Sequence, residues 1–436
     1  MYRKRVAIAT LGCKVNQFDS EVMREELARL GLREVSFDQK ADVYIVNTCT
    51  VTGKSDYQSR QLIRRAHRLN PKAVVVATGC YADVFPHTVG AVEGVSAVLG
   101  NQAKRDIGSV VSQLMVNRKP LVRVPPVENG PLEGYHIEGF SHHCRAFLKI
   151  QDGCNAACSY CIVPRARGRS RSLPPEKVLE QLTRLKTRGY QEVVLTGIHL
   201  GTYGLDLSPS SCLAEFLERF EDTPDLPPRI RLSSIEPMDF TGALLAAIRD
   251  SVRICPHLHI PLQSGDNQIL SLMNRGYTRE SFGRLVGEIT ERIPSVCIGL
   301  DVIGGFPGED EKHFRNTVEF IEELPVAYLH VFPFSPRPGT TAVNLPQRVR
   351  GDEIRRRCKI LRELSQQRRE AFYDRFLHQR VQVLEETTTV DEQGRRRGVS
   401  RNYIPVWIEP EGTDPSLEIE VEITEVSGQK VLGKRV

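Results

Sequence analysis

Short, continuously apolar runs alternate with amphipathic segments over the first hundred residues of the chain. Three runs are rich in β-branched residues, as is typical of strands that a parallel sheet buries on both faces. The segments between them carry apolar residues at helical spacing and end at Gly31 and at Asn70-Pro71. This alternation predicts right-handed crossovers and a doubly wound parallel sheet. The predicted strands are residues 6–11, 41–46 and 73–78, and the predicted helices are residues 21–30 and 55–69.

A second alternating series occupies the middle of the chain, from about residue 144 onward. Six strand-like runs are separated by amphipathic segments, for example residues 175–188 and 279–292. Six βα units predict a partial (β/α)6 TIM-like barrel, in which the site lies at the carboxyl ends of the strands. The predicted strands are residues 146–151, 192–197, 229–235, 257–263, 297–304 and 328–334.

The last part of the chain changes character, because a charged helix at residues 352–376 leads into short strands with turn residues between them. This pattern predicts a small antiparallel β-barrel, a kind of domain that often binds RNA on an exposed face. The predicted strands are residues 381–385, 403–408, 417–423 and 430–433. We therefore predict an α/β protein with an N-terminal domain at 1–115, a Pro- and Gly-rich linker at 116–140, a central barrel at 141–371 and a C-terminal barrel at 373–436.

The composition is that of an ordinary globular protein, with 40% hydrophobic and 26% charged residues among 436. No apolar run approaches the roughly 20 residues of a membrane helix, and the N-terminus carries no signal-peptide cleavage site. We therefore expect a cytoplasmic protein with no membrane partner, whose 11 cysteines ligate metal rather than form disulfides. The net charge of +5 is only mildly basic, so RNA contacts must come from local patches.

Cys154, Cys158 and Cys161 lie together directly after the first predicted barrel strand. Three thiolates this close can hold three irons of a cubane iron–sulfur cluster and leave the fourth iron open to a small molecule. The alternative is a structural zinc site, which takes four ligands. The nearest candidates for a fourth ligand lie upstream at no familiar zinc spacing, and they are His142, His143 and Cys144.

Three other cysteines, Cys13, Cys49 and Cys80, follow the three predicted strands of the N-terminal region. In a doubly wound sheet the carboxyl ends of neighbouring strands meet at one edge, so these thiols are expected to converge. A single such cysteine is usually a small buried residue. Three at equivalent places predict a second three-thiolate cluster, again with one open iron.

Both cysteine sets in this order, followed by a small β-domain, resemble the radical S-adenosylmethionine (SAM) methylthiotransferases. Within that family the chain looks most like the bacterial enzymes that act on N6-threonylcarbamoyladenosine in tRNA. The likeness covers nearly the whole chain and its motifs are specific. They are Gly12-Cys-Lys-Val-Asn-Gln, Asn47-Thr-Cys-Thr-Val-Thr, Lys149-Ile-Gln-Asp-Gly-Cys-Asn and Pro164-Arg-Ala-Arg-Gly-Arg-Ser-Arg-Ser.

The resemblance implies an enzyme that transfers a methylthio group to C2 of threonylcarbamoyladenosine beside the anticodon, using SAM both as radical source and as methyl donor. It implies two [4Fe-4S] clusters, a C-terminal domain of the TRAM type, a tRNA substrate and an external reductant such as flavodoxin or ferredoxin. We further expect a monomer. The alternatives are methylthiolation of isopentenyladenosine in tRNA or of a ribosomal protein, and a non-catalytic RNA-binding metalloprotein.

The resemblance also assigns roles to residues of this chain. One cluster, which binds SAM, is expected on Cys154, Cys158 and Cys161, and the auxiliary cluster, which carries the sulfur, on Cys13, Cys49 and Cys80. No residue is convincing as a general base, and none is named. The residues expected to contact SAM are Tyr160, Gly197, Glu236, Gln263 and Ile303.

Alternating arginines shortly after Cys161 are candidate RNA contacts. Arg165 and Arg167 are expected to present a basic edge that engages phosphates without reading sequence. The alternative is a solvated or ion-paired edge. Another basic face is predicted on the helix at 55–69, whereas the arginines at 355–357 lie among glutamates and are expected on a solvated face.

Overall fold

The chain forms two compact units in the computed structural model. The first unit comprises residues 1–141, 149–174 and 335–343, and the second comprises 142–148, 175–334 and 344–436. The described residues are 4–127, 130, 132, 137–140, 145–410 and 418–436. The alternative zinc ligands considered above, His142, His143 and Cys144, lie outside them.

The first unit contains a six-stranded sheet in the order β2-β1-β3-β4-β5-β6, in which every pair is parallel. The doubly wound sheet predicted from the sequence is therefore confirmed. The elements up to residue 174 are β1 (Arg5–Thr10), α1 (Lys14–Arg29), β2 (Arg33–Glu34), β3 (Val43–Thr48), α2 (Gly53–Leu69), β4 (Val74–Gly79), α3 (Cys80–Val84), α4 (Pro86–Gly90), β5 (Ala97–Leu99), α5 (Ile107–Val116), β6 (Leu121–Arg123), β7 (Arg145–Lys149), β8 (Gln151–Asp152), α6 (Val163–Arg167) and β9 (Arg171–Ser172).

Burial on both faces explains why the strands of this sheet are continuously apolar. Alternate residues of β3 enter two different hydrophobic clusters: Val43 and Ile45 pack on one side, and Tyr44 and Val46 pack on the other. Helices cover both sides, so no strand position of β3 or β4 is left for a solvated side chain.

The first helix differs from its prediction. Helix α1 begins at Lys14, directly after Cys13, rather than near residue 21. Its first turns bury polar side chains, among them Asn16, Asp19 and Ser20, which an apolar pattern cannot reveal. The short strands β2, β5 and β6 were also not predicted, and β6 lies inside the segment that was predicted to be a linker.

The second unit contains the six barrel strands in two hydrogen-bonded groups, β11-β10-β7 and β12-β13-β14. A backbone hydrogen bond from Ile235, just after β11, to His259 of β12 joins the two groups. The predicted partial barrel is confirmed. Its elements are α7 (Pro175–Thr187), β10 (Glu192–Thr196), α8 (Leu213–Asp222), β11 (Arg229–Leu232), α9 (Gly242–Asp250), β12 (His257–Gln263), α10 (Asn267–Leu272), α11 (Arg279–Arg292), β13 (Cys297–Gly304), α12 (Glu311–Glu323) and β14 (Tyr328–Pro333).

A long helix, α13 (Gly351–Asp374), leads into a closed five-stranded barrel in the order β15-β16-β17-β19-β18. Four strand pairs are antiparallel as predicted, whereas β17 and β19 pair in parallel and close the barrel. Within the described residues, no helix is both long and apolar enough to cross a membrane. The barrel strands are β15 (Arg380–Val390), β16 (Arg396–Ser400), β17 (Pro405–Ile408), β18 (Glu418–Ser427) and β19 (Lys430–Arg435).

A buried ion network joins the partial barrel to the closed barrel within the second unit. Glu192 of β10 is fully buried and accepts hydrogen bonds from Arg229 and Arg231 of β11. Arg229 also donates a hydrogen bond to Glu418 of β18 at 2.8 Å, and Arg231 donates to the Arg401 carbonyl oxygen at 2.9 Å. Burial by itself would raise the pKa of Glu192, but the two guanidinium groups outweigh it and hold that pKa well below its usual range.

We predict that Glu192→Gln lowers the free energy of unfolding by about 3–5 kcal/mol, because two buried guanidinium groups lose their anion. Since the pKa is lowered on folding, the stabilisation is present above the usual glutamate pKa of about 4.3 and is lost as the pH falls below it. Thermal unfolding across that pH range measures both effects. The matched control is Glu180→Gln, which removes an exposed ion-pair partner and should cost less than about 1 kcal/mol. Equal losses in the two variants would contradict the prediction.

Candidate cluster and SAM site

The three N-terminal cysteines lie at the carboxyl ends of three adjacent strands, β1, β3 and β4. Cys13 is the residue before α1, Cys49 directly follows β3, and Cys80 opens α3 directly after β4. Burial raises the pKa of the Cys49 thiol to about 11, and the neighbouring Cys80 and Cys13 add to the shift. Burial also raises the pKa of Cys80, and Cys13 contributes there as well. The three cysteines therefore share one edge of the sheet, at the ends of neighbouring strands.

Two glycines allow these loops to approach one another. A Cβ on Gly12 would lie 2.9 Å from the sulfur of Cys49. A Cβ on Gly79 would lie 2.4 Å from the Thr48 carbonyl oxygen, and its φ of +92° is in the region that favours glycine. Both sites exclude a side chain, so the ends of β1, β3 and β4 come together only with glycine at these places.

Buried amide and hydroxyl groups tie the three strand ends together. The Asn16 side chain donates to the carbonyl oxygens of Leu11 and Thr48 at 2.8 and 3.0 Å. The Asn47 side chain donates to the Asn16 carbonyl oxygen at 2.8 Å, and the Thr48 hydroxyl donates to the Thr78 carbonyl oxygen at 2.6 Å. Because each bond joins different loops, the positions of the cysteines are fixed by the sheet and not only by a bound group.

The second cysteine set forms a compact loop between β8 and α6 in the same unit. The Cys154 N–H donates to the Gly168 carbonyl oxygen at 3.0 Å, and the Cys161 N–H donates to the Cys158 carbonyl oxygen at 3.1 Å. The Ala156 N–H donates to the Cys154 sulfur at 3.3 Å. All three cysteines are partly exposed, so the loop presents its thiols rather than burying them as packing residues.

The donor set at both places fits an iron–sulfur cluster. Thiolates are the ligands such clusters use, and three of them leave one iron for a small molecule, whereas a closed zinc site takes four ligands. None of the ten cysteines in the described residues forms a disulfide. The loop cysteines would hold one cluster, and the six thiols together offer two separate three-ligand sets.

The residues predicted to contact SAM lie at or just past strand ends, apart from Tyr160, which is half-buried inside the cysteine loop. Gly197 directly follows β10, and its N–H donates to the Ser233 hydroxyl at 3.3 Å. Gln263 is the last residue of β12 and has a φ of +65°, an unusual conformation for a residue with a side chain. Two further predicted contacts complete the set: Glu236, ion-paired to Arg275, and Ile303, the penultimate residue of β13.

The prediction that Arg167 lies on a basic RNA-binding edge is wrong. Its side chain is only 1% exposed and forms two hydrogen bonds with Asp152, at 2.9 and 3.1 Å. Arg165, two residues earlier in α6, is exposed, and it donates to the Pro338 carbonyl oxygen at 3.2 Å. A second expectation is also wrong for one residue. Arg357 was expected on a solvated face, but it is buried and forms an ion pair with Glu309 at 2.7 Å.

A buried charge network in the first unit was missed by the sequence reasoning. Asp19 of α1 accepts from Lys104 at 2.7 Å and from Lys149 at 2.5 Å, and Lys149 also reaches Asp152 at 3.4 Å. Burial by itself would raise the pKa of Asp19. The neighbouring lysines and Arg167 outweigh burial and hold that pKa well below its usual range. The signal available in the sequence was the pair of charged residues, Lys149 and Asp152, at the two ends of the short run 149–152.

A second cluster missed from the sequence lies in the second unit, on the neighbouring strands β12, β13 and β14. His259 and Asp301 are 2.8 Å apart, and the His330 ring nitrogen lies 3.5 Å from the same carboxylate. Register places Asp301 opposite His330, and the Tyr328 hydroxyl lies 3.4 Å from His259. Burial by itself would raise the pKa of Asp301, but the two imidazoles hold it well below its usual range. Tyr328 and His330 are two residues apart in β14, so their side chains lie on the same face of the sheet. This spacing was the signal available in the sequence.

Comparison with known proteins agrees with this fold and these cysteine loops. Residues 148–321 match the radical SAM superfamily, and residues 5–100 match the family described as uncharacterized protein family UPF0004. The class defined by the partial barrel and its cysteine loop is thus that of the radical SAM proteins.

Full-length relatives define the family more closely. The threonylcarbamoyladenosine tRNA methylthiotransferase MtaB of Aquifex aeolicus is 40% identical over 411 residues, covering 92% of this chain and 96% of the relative. The protein of the same name from Bacillus subtilis is 38% identical, covering 92% and 89%. This chain belongs to the family of radical SAM tRNA methylthiotransferases.

Solved structures with the same architecture are more distant. The radical SAM methyltransferase TsrM of Kitasatospora setae, with cobalamin and a [4Fe-4S] cluster bound, superposes with a TM-score of 0.57 at 16% identity. The match covers 78% of this chain and 74% of that chain. At this identity the likeness shows the fold alone.

We predict that Gly79→Ala destabilises the first unit by at least about 1–3 kcal/mol, because an L-residue is strained at this φ and its Cβ would meet the Thr48 carbonyl oxygen. Thermal unfolding measures the effect. The control is Gly242→Ala in the first turn of α9, where a Cβ meets nothing within 4 Å and should change stability little. A melting temperature unchanged in Gly79→Ala would show that the β3 and β4 ends are not held this closely.

Proposed function

We propose that this chain transfers a methylthio group to C2 of N6-threonylcarbamoyladenosine beside the anticodon of tRNA. The observation that carries the proposal is the full-length similarity to enzymes named for that substrate, joined to six cysteines in two sets at strand ends. Other relatives, such as one from Moorella thermoacetica at 33% identity, are named tRNA-2-methylthio-N(6)-dimethylallyladenosine synthases. The identity of the modified base is therefore what an experiment must distinguish.

The two cysteine sets take different roles in this proposal. Cys154, Cys158 and Cys161 would hold the [4Fe-4S] cluster that binds SAM, and Cys13, Cys49 and Cys80 would hold a second cluster that carries the sulfur. When bound, these groups supply radical chemistry at an unactivated C–H bond, sulfur and, from SAM, the methyl group. Buried thiols need deprotonation to serve as ligands, and metal binding provides it.

The protein's own part is to bind and orient. Tyr160, Gly197, Gln263 and Ile303 are proposed to contact SAM, and the backbone at Gln263 is held in an unusual conformation suited to a close ligand. Glu236 is proposed to contact SAM as well, and its ion pair with Arg275 fixes the position of the carboxylate. Electrons would come from an external reductant such as flavodoxin or ferredoxin, and the enzyme would act as a monomer in the cytoplasm.

RNA contacts are proposed for exposed arginines of the first unit. Arg165 remains a candidate because its side chain is exposed close to the cysteine loop in sequence. Helix α2 exposes Arg64, Arg65 and Arg68, which suit phosphate contacts that position a tRNA without reading its sequence.

We predict that Cys158→Ala abolishes SAM cleavage, whereas Cys49→Ala permits cleavage but stops sulfur insertion, because the two residues serve different clusters. Production of 5′-deoxyadenosine measures the first step, and mass spectrometry of tRNA nucleosides from a gene-deletion strain carrying each variant measures the second. Cys212→Ala, which lies in neither set, is the control and should leave both unchanged. Restoration of 2-methylthio-N6-threonylcarbamoyladenosine by either cluster variant would refute the assignment. If the gene-deletion strain lacks the methylthiolated dimethylallyl nucleoside and keeps the methylthiolated threonylcarbamoyl nucleoside, the proposed substrate is refuted.

We predict that Arg165→Ala weakens tRNA binding and reduces the slope of log Kd against log salt concentration by about 1, as expected for one lost phosphate contact. Binding of unmodified tRNA at several salt concentrations measures this. Arg249→Ala removes an exposed arginine that is paired with Asp250 in the second unit, and should leave the slope unchanged. Identical slopes for Arg165→Ala and the unaltered protein would remove Arg165 from the RNA-binding surface.

A further inference from the structure

Arg167 occupies a place that neither packing nor RNA binding explains. Its guanidinium is buried in the first unit, between the loop of the second cysteine set and the start of α1. It donates twice to Asp152, which immediately precedes that loop, and once to the Asn16 side-chain oxygen at 2.7 Å. Asn16 lies three residues after Cys13 and holds the ends of β1 and β3. One side chain thus links both cysteine sets.

Helix α6, which carries Arg167, packs against α3, the helix that Cys80 opens. The Asn101 side-chain amide lies 4.0 Å from the Cys80 sulfur and donates to the Ala166 carbonyl oxygen at 2.7 Å. The Cys80 sulfur therefore lies beside the helix that carries the Arg167 guanidinium.

The charge of Arg167 is not cancelled by its acidic partners alone. Asp19 and Asp152 also bind Lys104 and Lys149, so three cations share these two carboxylates. A third carboxyl, that of Asp83, accepts a hydrogen bond from the Asn101 N–H at 2.7 Å. Removal of any one of the three cations therefore makes the surroundings of the first cysteine set more negative.

We propose that Arg167 is a positioning residue that joins the two cysteine loops and raises the reduction potential of the cluster held by Cys13, Cys49 and Cys80. This rests on the proposed function, which places a cluster there. Hydrogen bonds to ligating sulfur and nearby positive charge stabilise the more negative, reduced form of a cluster. The two contacts of the Arg167 Nη1 atom with Asp152 and the contact of its Nη2 atom with Asn16 fix the guanidinium between the two cysteine loops.

The experiment uses the full-length chain with Cys154, Cys158 and Cys161 changed to Ala, so that the remaining cluster signal belongs to the first set. After anaerobic reconstitution, a redox titration followed by EPR gives its midpoint potential. We expect Arg167→Gln to shift the potential to a more negative value and Arg167→Lys, which keeps the charge but not the fork, to shift it less. Arg165→Gln removes the same charge from an exposed position of the same helix and should leave the potential unchanged.

An unchanged potential in fully loaded Arg167→Gln, or an equal shift in Arg165→Gln, overturns the proposal. If Arg167→Gln does not retain the cluster, Arg167→Lys takes its place, because lysine keeps the charge that faces Asp152. A more negative potential in that variant supports the proposal, and an unchanged one overturns it. If the chain with Arg167 intact holds no cluster at the first set, the proposed function fails rather than this inference alone.

Discussion

Parallel pairing of β1, β3 and β4 is the constraint on which the rest of the structure depends. It places Asn47 opposite Thr10 and Gly79 opposite Thr48, so that the chain leaves all three strands at one edge of the sheet. The strand order also reverses at β1 and β3, which opens the crevice where such sheets bind ligands. Cysteines more than thirty residues apart in sequence meet there because backbone hydrogen bonds fix the register.

Buried ions provide the second level of organisation in both units. Glu192 with Arg229 and Arg231 ties the two barrels of the second unit together, and Asp19 with its lysines lies beside the cysteine loops of the first. Burying charge costs free energy that pairing only partly returns. Such networks therefore favour one defined arrangement of loops over others, more than they add stability.

Both cysteine sets lie in the first unit. Each set is held by its own backbone bonds, and buried polar side chains from α1 and α6 link them. This arrangement keeps the loops fixed relative to one another without any thiol taking part in a disulfide among the described cysteines. Membership in the methylthiotransferase family is consistent with a need for two such sites within one fold.

The sequence by itself determined most of the elements and the candidate metal ligands, because periodicity follows from backbone geometry and because the six cysteines have few other uses in their spacing. Strands β12 and β13 and helix α11 were predicted to their last residues. Only the tertiary structure decided where the charged side chains of Arg167, Lys104 and Asp301 lie, since burial of a charged side chain depends on partners distant in sequence. It also decided the parallel closure of the C-terminal barrel, because strand order is set by packing between strands and not by the pattern within any one of them.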